Sequence, residues 1–146
     1  MSKINYKRVF LGGLVAGIVF IVLGFASYFI YLGNEWKSVM ETLGYPISET
    51  VGMYIISIIG CFVVGFIAVW LYAAIRPRFG AGAKTAIIAG FVFWILNGLL
   101  VYLSLSSLGM FPTNLLVIDC VIYLVTVVVA TILGAWVYQE QSQQNG

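Results

Sequence analysis

Apolar residues fill four long runs of the chain, near residues 9–32, 51–75, 85–108 and 115–138, and polar residues collect in the breaks between them. Each run exceeds the roughly 20 residues that a helix needs to cross a hydrocarbon layer about 30 Å thick. Lipid offers no partner to a free amide, so each run has to close its own backbone hydrogen bonds as a helix. The pattern predicts an all-α, integral membrane four-helix bundle, with residues 1–146 forming a single transmembrane domain.

The first break, residues 33–50, is the one sizeable polar stretch between runs. Within it Trp36, Val39, Met40 and Leu43 recur at i, i+3, i+4 and i+7, which is one face of a helix. Asn34 suits an N-cap and Glu35 suits the first turn, where the helix dipole favours an anion. Gly44 suits the position just past a helix end, and Pro46 bars continuation. The expected element is a short outer interfacial helix over about 35–43, lying flat with Trp36 at headgroup level. It would serve as a spacer or as a lid over an outward-facing cavity.

Composition narrows the class. The chain is 62% apolar and 8% charged. Soluble domains carry about a quarter charged residues, so no segment is left over for one. There is no histidine, which removes the commonest metal ligand and the usual general base. No metal-binding cluster and no nucleophile–base pair is spelled out, so the expectation is no enzyme, no metal and no cofactor. Cys61 and Cys120 differ in expected depth by roughly 7 Å at 1.5 Å per residue, so they are expected to be free apolar fillers.

Charge gives an orientation. Lys3, Lys7 and Arg8 precede the first run, and Arg76, Arg78 and Lys84 lie between the second and third. Only Lys37 falls in the first break, beside Glu35, Glu41 and Glu49. The positive-inside rule then puts both termini in the cytoplasm. The first run is too long for a signal peptide, and no small-residue cleavage site follows it. The tail, residues 139–146, is polar and expected to fray.

Within the runs, Gly13 and Gly17 form a GxxxG pair, and Gly24 lies further along the same face. Small residues of this kind let a second helix approach closely, inside the bundle or in a homo-oligomer. Ser57, Cys61, Gly65, Ala68 and Tyr72 form a stripe expected to face the bundle. Trp70, Tyr72, Trp136 and Tyr138 fall where an aromatic belt would lie. Asn97, deep in the third run, needs an interhelical partner, because an unpaired amide in hydrocarbon is costly.

Asp119 is the one carboxylate inside a run, about one turn from its outer end. An intramembrane acid is a functional candidate by default, although a helix N-terminus can also hold an anion. Tyr123 and Thr126 share its face, and Ser104, Ser57, Tyr54, Ser27 and Tyr28 lie at similar depth. Converging, these residues would make an outward-facing polar pocket. Separately, the serines would bond their own i−4 carbonyls and the tyrosines would join the belt. At the other end, Arg76 precedes Pro77, so the second helix is expected to stop there. Gly82 would then cap the third helix, and Arg76, Arg78 and Lys84 would flank free amides suited to an anionic lipid headgroup.

The stretch Leu71–Ala86, LYAAIRPRFGAGAKTA, resembles a family of uncharacterised bacterial four-span membrane proteins with a YAAIRPRFGPGPKTA-like motif between spans two and three. The opening KRVFLGGLVAGIVF and the closing LGAWVY are similar to it as well. Ala81 and Ala83 stand where that family often has proline, and Val19–Gly24 is apolar where some relatives carry a polar Asn-Gly-Glu cluster. The resemblance implies a bacterial inner membrane and no particular activity. The expected role is binding, of lipid, of a membrane partner subunit or of a second copy, with no part for nucleic acid. The alternative is a small transporter or channel built on the Asp119 pocket.

Overall fold

A computed structural model describes residues 4–138. Lys3 and the tail, residues 139–146, lie outside the described residues. Among the described residues there are helices and no strand. Four helical rods are long and apolar enough to cross a membrane: Tyr6–Thr42, Val51–Phe79, Ala83–Ser107 and Thr113–Val137.

The first rod contains α1 (Tyr6–Ser27), a π turn (Tyr28–Leu32) and α2 (Gly33–Thr42). The expected break at Asn34 is absent. Leu32 and Gly33 both keep right-handed helical angles, and the Gly33 amide reaches back to the Tyr28 carbonyl, five residues earlier. Asn34 is therefore inside a helix and not an N-cap. At 1.5 Å per residue this rod measures about 55 Å, so α2 projects beyond the hydrocarbon as a continuation of the span. Its Trp36, Val39, Met40 and Leu43 face is the half-buried one, as the spacing implied. Gly44 ends α2 at φ 81°, and the Tyr45 amide donates to Met40 while the Gly44 amide donates to Glu41. This double bond pattern satisfies two end carbonyls, and a left-handed glycine makes it accessible.

The second rod, α3 (Val51–Phe79), starts at Thr50, whose hydroxyl accepts from the Met53 amide. It does not stop at Arg76. The helix runs through Pro77 because a proline near the end removes one hydrogen bond and only disfavours helical angles in its predecessor. The Gly80 amide donates to the Arg76 carbonyl at 2.8 Å and closes the last turn. Gly82 caps the third rod, which contains α4 (Ala83–Trp94), a second π turn (Ile95–Leu99) and α5 (Leu100–Ser107). The fourth rod is α6 (Thr113–Val137).

The rods come closest in one half. α3 and α6 meet across the centre, with α1 and α4 packed against both from either side. At the basic end the crossings run through small residues. A Cβ on Gly65 would stand 2.6 Å from the Gly17 amide nitrogen and 2.7 Å from the Gly13 carbonyl. A Cβ on Gly12 would stand 2.6 Å from the Gly134 carbonyl. The Gly13–Gly17 ridge is thus covered by α3. Ala16, Ala68, Val69, Ala86, Ala89, Val127 and Ala130 fill the fully buried centre. Trp70 and Trp136 point outward at this end, whereas Tyr72 and Tyr138 pack edge to face inside it.

Toward the far end α3 and α5 draw away, while Leu32, Leu115, Leu116 and Cys120 stay buried. In α3 no residue from Val51 to Val64 is fully buried, and in α5 none is. The upper part of the expected α3 stripe therefore leaves the core: Gly65, Ala68 and Tyr72 are buried, Cys61 is half-buried and Ser57 is exposed.

Candidate functional site

The space left where α3 draws away is the candidate site. One cavity of about 300 Å³ lies between the first rod, Cys61 of α3 and α6, with Gly24, Ser27, Tyr28, Trp36, Asp119 and Thr126 among its lining residues. A second, of about 200 Å³, lies between the first rod and α3 and is lined by Phe25, Met53, Tyr54 and Ser57 among others. The two share Gly24, Tyr28 and Cys61 as walls. Gly24 and Ser57 are exposed, so the space is open to the side of the bundle. Gly24 is about 24 Å along the helix from Arg8 at 1.5 Å per residue, which is hydrocarbon depth.

Asp119 is half-buried in this cavity. It sits six residues into α6, past the first turn where a helix end stabilises an anion. Side chains hold it instead. The Trp36 indole nitrogen donates to Oδ2 at 2.9 Å, and the Tyr102 hydroxyl lies beside the carboxylate. Trp36 also packs edge to face on Phe111. It therefore turns into the bundle and ties α2 to α6, where a headgroup-level anchor had been expected. Trp36 and Tyr102 are the site residues that the sequence reading did not assign.

The remaining candidates divide. Tyr28, Tyr123 and Thr126 line the larger cavity with Asp119, and Tyr54 and Ser57 line the smaller. Ser104 is elsewhere: it is exposed on an outer surface of α5 and donates to the Leu100 carbonyl at 2.8 Å. The π turn below it explains this. One inserted residue turns every later side chain by about 100° relative to a regular helix, and Tyr102, not Ser104, meets Asp119. The hydroxyls of Ser57, Ser27 and Thr126 likewise donate to carbonyls four residues back. Asn97 donates from Nδ2 to the Tyr123 hydroxyl at 2.7 Å, joining the third rod to the fourth. Trp94 adds a bond to the Cys120 carbonyl at 3.0 Å. Gly24, grouped by sequence with the packing glycines, has no atom within 4 Å of its notional Cβ and serves as cavity wall.

A loop carboxylate ties the outer ends of the first rod and the loop together. Lys37 pairs with Glu49 at 2.6 Å, and the Tyr28 hydroxyl donates to the same carboxylate at 3.0 Å. Lys37 and then Tyr28 hold the Glu49 carboxyl below its usual range.

At the basic end, Arg76 lies over the Tyr138 ring, 5.4 Å from its centroid, and Arg78 and Lys84 are exposed on either side of the Gly80–Gly82 turn. The Tyr72 hydroxyl takes the Gly82 amide at 3.2 Å, and Thr85 donates to the Phe79 carbonyl at 3.2 Å. These bonds order the turn from within the protein. Cys61 and Cys120 are free thiols, and among the described residues no group of three histidines, cysteines or carboxylates could hold a metal ion.

Fold and site together define a multi-pass, four-helix membrane protein with a side-opening cavity in one half. The chain matches no protein-family model, no curated protein and no solved structure.

Proposed function

We propose that this protein binds a molecule with an apolar chain, taken sideways from the surrounding lipid into the cavity around Gly24, Cys61 and Asp119. The observation that carries the reading is the asymmetry of the bundle. One half is sealed by backbone-to-backbone helix crossings at Gly12, Gly65 and Gly134, while the other leaves about 300 Å³ open at hydrocarbon depth. A mostly apolar hollow with a few convergent polar groups is the usual form of a small-molecule site. The buried centre of the sealed half is mostly alanine and valine among the described residues, which favours binding over conduction.

The basic end is read as cytoplasmic, in a bacterial inner membrane, from the lysine and arginine placement and the family resemblance. Self-association through the Gly13–Gly17 ridge loses support, since Gly65 already occupies that ridge.

A carrier is the second reading. Two π turns, Tyr28–Leu32 and Ile95–Leu99, lie at the level of the site, and such insertions let a helix change its packing. The test of the main reading is native mass spectrometry of the protein released from membranes. Wild type is expected to retain an amphiphile, and Gly24→Leu, whose Cβ meets open space on the cavity wall, to lose it. Equal retention by both would overturn the reading.

A further inference from the structure

Three hydroxyls that face the larger cavity share a character that the Tyr123 hydroxyl, an acceptor from Asn97, and the Cys61 thiol do not. The Ser27 hydroxyl donates to the Leu23 carbonyl at 2.7 Å, and the Thr126 hydroxyl donates to the Ile122 carbonyl at 2.9 Å. The Tyr28 hydroxyl gives its proton to Glu49 at 3.0 Å. Each has committed its one hydrogen, so toward the cavity it offers lone pairs only. Asp119 accepts from Trp36 with Tyr102 beside it, yet a carboxylate has about four acceptor positions, and at least two remain. Both of these neighbours are neutral, and among the described residues no lysine or arginine pairs with it. Around these acceptors stand the rings of Phe20, Tyr28, Trp36 and Tyr123.

We infer that the ligand of this cavity is a lipophilic ammonium, a protonated amine on an apolar chain, with its head at Asp119 and its tail along Gly24, Phe25 and Met53. This rests on the binding reading above and adds the chemistry of the ligand. Three hydroxyls with committed hydrogens beside a carboxylate favour a donor. A carboxylate without a cationic partner selects a positive one, and charge-assisted hydrogen bonds are about twice as strong as neutral ones. Aromatic faces attract the same head. The arrangement disfavours a fatty acid or a phosphate head, whose charge would meet the Asp119 carboxylate. The tail then follows the second cavity, which shares its Gly24, Tyr28 and Cys61 wall with the first and opens toward lipid.

The experiment is equilibrium binding of three radiolabelled probes, dodecylamine, dodecanol and dodecanoate, to the protein in nanodiscs at neutral pH, with empty discs subtracted. Wild type should bind dodecylamine more tightly than dodecanol by about tenfold or more, the scale of a charge-assisted bond, with dodecanoate weakest. Asp119→Asn should remove that preference, bringing dodecylamine to the level of dodecanol, and Gly24→Leu should abolish binding of both. Equal binding of amine and alcohol by wild type, or tighter binding of dodecanoate, would overturn the ammonium assignment while the apolar-chain reading stands. Wild type that binds none of the three would overturn both. The wild-type comparison decides the matter even if Asp119→Asn does not fold.

Discussion

Gly65 and Gly24 sit on facing rods, yet a larger side chain has opposite consequences at the two. At Gly65 the new carbon would press on the backbone of α1, where nothing can yield without moving a helix. Gly65→Leu is expected to destabilise the protein by at least the usual cost of overpacking, about 1–3 kcal/mol. Gly24→Leu meets open space and should stay within about 0.5 kcal/mol of wild type. Thermal unfolding in detergent, followed by helical circular dichroism, checks both, and similar losses at the two positions would contradict the packing described. Asp119 was legible in the sequence because an acid in an apolar run has few bland explanations. Its partners were not. Trp36 and Tyr102 come from two other rods, and no spacing along one chain segment shows that they converge.

Among the elements, glycine end signals were readable because they act locally: Gly44 closes α2, and Gly80 and Gly82 turn the chain between α3 and α4. The π turns were not readable. They add one residue to a helix without any marker in composition, so positions counted along a regular helix fall out of register beyond them. That is why Ser104 faces away from the site. Pro77 misled in the other direction, since near a helix end its missing amide costs little. The loop between the first two rods has its own pH dependence. Glu49 is held below its ordinary value of 4.5 by Lys37 and then by Tyr28. Its hold on the loop is therefore complete above that ordinary value and is lost as pH falls through the depressed one. A spin label at Ser48 should gain mobility on acidification through that range. In Glu49→Gln it should be mobile at neutral pH already. A label indifferent to pH in wild type would show that the pair does not restrain the loop.

For the whole molecule, four apolar runs were enough to establish an all-α membrane bundle, because lipid leaves the backbone no other solution. The runs did not show how far the rods stay together. That depends on which helices the small residues touch: Gly12 on Gly134 and Gly13 with Gly17 on Gly65 draw one half closed. The larger side chains beyond them, Phe25, Tyr28, Met53 and Tyr54, hold the other half apart. The candidate site follows from this difference, since the same four rods packed evenly along their length would enclose no hollow. A density map of the protein in a lipid nanodisc puts the account to its most direct test. An elongated non-protein density running from Asp119 past Gly24 to the bilayer side of α3 is the expected result. A far half collapsed into contact, with Gly24 packed against α3 and no space beside Asp119, would contradict it.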